Sequence, residues 1–121
     1  MKQRLFKLAL FFSFILGGLA LTAFAQGGQI VGGYGSVDVH DKNVRKAANV
    51  AIKQRSARTG RKLTLVKINK AEGQVVAGEN YRMCMDVRDG RGRIRTVTAV
   101  VWERIRKPML LTNWANGCKE L

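Results

Sequence analysis

Histidine and proline each occur once in this chain and cysteine twice, and acidic residues number 8 against 22 basic ones. Each scarcity excludes something. Two cysteines and the lone His40 contain no close-spaced ligand pair, so no metal site is expected. A nucleophilic thiolate needs a base beside it, and His40 falls in a different predicted element from Cys84 and Cys118. No motif joins a potential acid to a potential base, so an enzyme is the least favoured class and no cofactor is expected. Aromatic residues make up 7% of the chain and form no exposed run on which bases could stack, which argues against specific nucleic-acid binding. No repeat, low-complexity tract or interdomain linker interrupts the sequence.

What is present begins with Met1-Lys2-Gln3-Arg4-Leu5-Phe6-Lys7, followed by an apolar run from Leu8 to about Leu21 and then Thr22-Ala23-Phe24-Ala25. A basic start, an apolar middle and an Ala-x-Ala end predict a secretory signal peptide over residues 1–25, cleaved between Ala25 and Gln26. An uncleaved anchor helix is the rival, and Gly17-Gly18 together with the cleavage site favours removal. No cysteine follows that site, so lipid attachment is not indicated. The expected product is residues 26–121, secreted or periplasmic, with no membrane span, and one small domain around one core. Lys2, Arg4 and Lys7 leave with the leader, so the formal charge falls from +14 to +11. The basic residues are scattered over every predicted element, which reads as a solvated surface that also attracts polyanions and anionic membranes.

The exported part opens on Gln26 to Gly35, with five glycines in ten residues, an arm too flexible for a helix. From Asp41 the pattern becomes helical, with Val44, Ala47, Ala48, Ala51 and Ile52 on one stripe. Asp38 or Asp41 can cap it, and Gly60 can end it. Two strand-like runs follow, Lys62–Asn69 and Tyr81–Arg88. In the first, Leu63, Leu65 and Lys67 should share a face. In the second, Tyr81, Met83, Met85 and Val87 should cover the helix, which turns Cys84 outward. Asp89-Gly90 supplies the positive φ of a primed hairpin turn into a strand over Arg93–Trp102. Pro108 cannot donate to a ladder and marks a loop or an edge. Met109–Trp114 reads as a last strand, and Ala115-Asn116-Gly117 turns the chain toward Cys118. An even cysteine count in an oxidising compartment predicts one disulfide, Cys84–Cys118, for which Cys118 must fold back across the outer face of the sheet.

The join between the first two strands is Gln74-Val75-Val76-Ala77-Gly78. Its bland reading is continued strand. A hairpin tip is usually polar, yet this one carries two valines, and its spacing is Gln-Xaa-Val-Xaa-Gly. In that position, after such a helix and such an arm, the motif resembles the signature of the cystatins, which inhibit papain-like cysteine proteases. The Ala99-Val100-Val101-Trp102 strand is similar to the family's fourth strand. The resemblance implies an α+β fold in which one N-terminal helix packs on a curved antiparallel sheet of four to five strands. It also implies an inhibitory wedge of three parts: Ile30 and Val31 ahead of an anchoring glycine, Gly32 or Gly33; the hairpin Gln74, Val75, Val76, Ala77 and Gly78; and a second hairpin at Pro108 and Met109. Family members usually carry Pro-Trp in that second loop, so Met109 is a departure. On this reading Gly78→Trp should abolish inhibition and leave the fold intact. The implied partner is a papain-like cysteine protease. A monomer is expected, with a domain-swapped dimer as the alternative.

Two other readings compete with inhibition. A fold hosts many functions, so the chain could be an exported cystatin-fold binding module without protease-inhibitory activity. The charge could also direct it to anionic glycans or membrane surfaces, a reading that predicts steep salt dependence and indifference to Gly78.

Overall fold

A computed structural model describes residues 32–118. The predicted leader, with Ile30 and Val31, lies outside the described residues. Five strands and one helix follow in the order β1 (Gly35–Val37), α1 (Lys42–Thr59), β2 (Leu63–Val76), β3 (Gly78–Asp89), β4 (Ile94–Glu103) and β5 (Leu110–Asn116). The strands form one antiparallel sheet in sequence order, β1 to β5. The end of the arm therefore contributes an edge strand, with Val37 opposite Ala71.

The helix begins and ends where its residues require. Asp41, and not Asp38, is the N-cap, accepting from the N–H groups of Asn43 and Val44 at 2.8 and 3.2 Å. Asp38 instead accepts from the His40 N–H at 2.8 Å. Gly60 closes the helix at φ 67°, donating to Ser56 at 2.9 Å, a left-handed cap that glycine adopts without strain. Val44, Ala47, Ala48 and Ala51 are fully buried, and the small alanines let the helix lie close to the sheet. Opposite them, Ala71, Tyr81, Met83, Met85, Val87, Val97, Ala99, Val101, Met109 and Leu111 complete the core. The Gln54 side chain donates to Met109 O at 3.0 Å and accepts from Leu111 N–H at 2.8 Å, while Arg58 donates to Leu111 O at 3.0 Å. Helix side chains thus satisfy backbone groups of the edge strand β5.

Two irregularities in β2 correct the simple alternation expected from its sequence. The register against β3 shifts between Leu65 and Lys67 and again between Ile68 and Lys70. Each extra residue turns the strand by one face, so Leu63, Leu65, Ile68 and Ala71 face the core and Lys67 is exposed. The bulges also bend β2 around the helix. The β3–β4 turn differs as well: positive φ occurs at Gly92 (81°), not at Gly90. Asp89 organises this turn, its carboxylate accepting from the N–H groups of Arg91 and Arg93 at 2.9 and 3.0 Å. Those bonds, the one from Arg93 foremost, hold its carboxyl below the usual carboxylate range.

On the outer face Cys84 pairs with Cys118, with 5.5 Å between their Cα atoms. Gly117, at φ 80°, donates to Thr96 O at 2.8 Å and accepts from the Thr98 hydroxyl at 2.6 Å. The chain therefore crosses the outer face of β4 to reach β3, covering Thr98 on the way. The bond closes a sequence separation of 34 residues. A loop of that length is worth about 4 kcal/mol in the chain-entropy model. The double substitution Cys84→Ser, Cys118→Ser should lower the free energy of unfolding by about 2–4 kcal/mol, measured by urea titration. An unchanged midpoint would show that the crossover is held by its hydrogen bonds to Thr96 and Thr98 without the disulfide.

Candidate functional site

The site expected from the sequence lies at one end of the sheet, where the arm, the β2–β3 hairpin and the β4–β5 loop meet. Gln74, Val75 and Val76 continue β2, so the tip of the first hairpin is the single residue Ala77 between Val76 and Gly78. Within it Val75 is the most exposed large apolar residue described, at 73%. The partner strand folds back without a wider loop because Gly78 takes φ 94°.

Gly78 has a second role. A Cβ built on it would lie 2.0 Å from the backbone oxygen of Glu103, the last residue of β4. Side chains do not approach backbone that closely, so only glycine lets the first hairpin rest on the root of the second. This corrects the expectation that Gly78→Trp spares the fold. Trp102 strengthens the same junction, its indole N–H donating to Ala77 O at 2.9 Å. Nearby, Glu79 faces Glu103 across the ladder and accepts from the Tyr81 hydroxyl at 3.0 Å. Burial, that bond and the neighbouring carboxylates push the Tyr81 phenol well above its ordinary range, so it acts as a fixed donor.

The arm is attached at the other side. Gln74 donates its side-chain amide to Gly32 O at 3.0 Å, and Asn80 donates to Gln74 Oε1 at 3.4 Å. Gly32 and Gly33 are exposed, and a Cβ on either would meet open space. The tight contact of this end is thus at Gly78 and not at the arm glycines. Tyr34 stacks on Arg82, 4.0 Å from the guanidinium to the ring centroid, and Arg82 in turn pairs with Glu72 at 2.9 Å.

The second loop departs from its expected form. Pro108 is exposed, as a tip residue would be, but Met109 is 7% exposed and belongs to the core. Its backbone carbonyl is taken by Gln54. As placed, Met109 presents no side chain outward, which corrects its assignment as a contact residue. The outermost part of the loop is Ile105-Arg106, with Arg106 at φ 58° and Ile105 65% exposed. Arg104 steadies the loop by donating from Nε to Pro108 O at 2.9 Å. Ile105 and Trp102 are the two residues that reading the sequence missed. Ile105 carried a signal, a lone large apolar residue among Arg104, Arg106 and Lys107.

The SQAPI family, described as aspartic acid proteinase inhibitor, has a profile that matches residues 36–114. Cysteine proteinase inhibitor 8 of Oryza sativa subsp. japonica is 30% identical over 78 residues, which cover 64% of this chain and 63% of that protein. The chain belongs to the cystatin family. Cysteine proteinase inhibitor 5 of Arabidopsis thaliana is 29% identical over 85 residues, 69% of this cystatin and 70% of the plant protein. The salivary cystatin of the soft tick Ornithodoros moubata superimposes with a TM-score of 0.58 at 19% identity, over 72% of this cystatin and 98% of that chain. Its likeness is one of fold: a helix held by a five-stranded antiparallel sheet. The cystatin family is one of proteinase inhibitors and not of enzymes, and among the described residues the two most exposed large apolar side chains, Val75 and Ile105, lie on the two hairpins of one end.

Proposed function

We propose that this cystatin inhibits papain-like cysteine proteases by filling the active-site cleft with Val75, Ala77 and Ile105, flanked by the arm ending at Gly32 and Gly33. The observation that carries the proposal is the pair of exposed apolar tips on hairpins locked together through Gly78 and Trp102. Water-facing valine and isoleucine have few rotamers to lose on docking and gain roughly 25 cal/mol per Å² of apolar surface covered, against the general cost of association. No chemistry is asked of the inhibitor. Ile30 and Val31 retain their proposed role as the side chains that extend the wedge along the cleft, and Pro108 that of a rim contact. The test is inhibition of papain by the purified protein, with Val75 replaced as described in the Discussion.

A second reading has an observation of its own, the match of residues 36–114 to a family described as aspartic acid proteinase inhibitor. Pepsin assayed beside papain decides between the two. If neither is inhibited by the folded protein, the chain is instead a binding module without inhibitory activity.

We also propose that residues 1–25 direct export and are removed. The Cys84–Cys118 bond supports this, since disulfides persist in oxidising compartments. Mass spectrometry of the protein from an expressing cell should give Gln26 as the N-terminus. A retained Met1 would overturn the proposal.

A further inference from the structure

The end of the sheet remote from the hairpin tips holds a second concave surface. It exists because the helix is shorter than the sheet beneath it. Along β4 the inward positions run Val101, Ala99, Val97, all buried under α1, and then Arg95 and, just before the strand, Arg93, which continue past the helix C-terminus. The result is an open groove of about 900 Å³. Leu63, Val87 and Val97 contribute to its lining, and Trp114 of β5 stands half-buried in it.

Its charge is one-sided. Arg55, Arg61, Lys62, Arg91, Arg93 and Arg95 line it, against the single carboxylate of Asp89. That carboxylate is tied to the N–H groups of the turn. Among the described residues the ion pair formed is Arg82–Glu72, on the outer face. In the groove the Asp89 carboxylate offsets only part of the charge of Arg93 and Arg95, and the cations there remain in excess. A helix C-terminus draws cations by its own dipole, and that accounts for Arg58, which already donates to Leu111 O. It does not account for Arg91, Arg93 and Arg95, which arrive from the β3–β4 turn and strand. Like charges brought together in a concavity focus the field and favour an anion there.

We infer that this groove is a binding site for an anionic polysaccharide, whose sulfates or carboxylates pair with Arg93, Arg95 and Arg61 while a sugar ring lies against Trp114. Arginine presents a planar fork that pairs bidentately with such groups. Arg55, 5.5 Å from the centre of the Trp114 ring, holds that ring in orientation from one side. The groove volume is within the range of small-molecule and short-oligomer sites. Single-stranded nucleic acid would call for successive stacking platforms, and the groove has one. A membrane surface fits a convex or flat basic face better than a recess. The site lies at the opposite end of the strands from Val75 and Ile105, so a bound glycan leaves the hairpins open, and the inference stands whether or not a protease is the target.

The experiment is calorimetric titration of the protein, purified from cells expressing the full chain, with a heparin hexasaccharide at physiological ionic strength. The variant Arg93→Gln, Arg95→Gln should bind about 100-fold more weakly, at about tenfold for each charged hydrogen-bond donor removed. The control Arg45→Gln, Lys46→Gln removes the same charge from the exposed face of α1 and should bind within twofold of the parent. Papain inhibition should be unchanged in both. Equal losses in the two variants would reduce the effect to net charge and overturn the site. So would tighter binding of an oligodeoxythymidylate or of phosphatidylserine vesicles than of heparin at the same salt. Circular dichroism on both variants separates lost binding from lost fold.

Discussion

Replacing Gly78 with alanine should lower the free energy of unfolding by about 3 kcal/mol, the sum of two separate costs. Alanine at φ 94° is strained in itself, because its Cβ crowds the backbone in that region. The same Cβ would also sit 2.0 Å from Glu103 O, and a backbone oxygen in a strand cannot swing away as a side chain can. The relief is to open the ladder at Glu79–Glu103 and separate the two hairpins, which also removes the Trp102 bond to Ala77. Inhibition should therefore fall together with stability. Urea titration followed by circular dichroism is the check. A variant that unfolds at the parent's midpoint would show that the hairpins are not packed as described, and would restore Gly78 as a contact residue only. Tryptophan at this position imposes the same two costs with a larger side chain, so it cannot serve as a folded control.

Val75→Lys is the folded control that Gly78 cannot provide, and it should weaken inhibition of papain about 100-fold. The magnitude is that of one central hot-spot side chain, about 2–4 kcal/mol. With 73% of its surface exposed, Val75 contributes little to the core, and lysine there faces Glu79 across the ladder without repulsion. The thermal midpoint should hold. Val66→Lys, on an exposed residue at the first bulge of β2, tests whether position or charge matters and should leave inhibition unchanged. If Val75→Lys inhibits as the parent does, the first hairpin has no part in the mechanism. If pepsin and not papain responds to the substitution, the hairpin serves an aspartic protease.

The sequence carried the elements whose causes are local. Asp41 and Gly60 cap a helix by their own chemistry, and the stripe from Val44 to Ile52 marks its buried face by period alone. Tyr81, Met83, Met85 and Val87 alternate cleanly, so the core face of β3 and the outward direction of Cys84 could both be read from spacing. The Gln74–Gly78 motif could likewise be placed where two strands join, although its first three residues continue β2 and only Ala77 lies between the strands. What was missed depends on residues far apart in the chain. The bulges of β2 turn Ile68 and Ala71 inward because the strand must curve around α1, and no local pattern in Leu63–Asn69 encodes that curvature. Met109 follows the proline that suggested a loop tip, yet it is drawn into the core because Gln54 fixes the backbone on either side of Leu110. That places Ile105 at the tip instead. Gly78 read as a point of approach for a partner, whereas its missing Cβ is required by Glu103, 25 residues away in the same chain. The basic residues looked scattered because α1, the β3–β4 turn and β4 are separate in sequence. Only the end of the helix short of the end of the sheet brings Arg55, Arg61, Arg93 and Arg95 around one groove. Local sequence fixes caps, faces and turns through short-range sterics and hydrogen bonds; which side chains are left facing water at each end is decided by how far the helix reaches across the sheet.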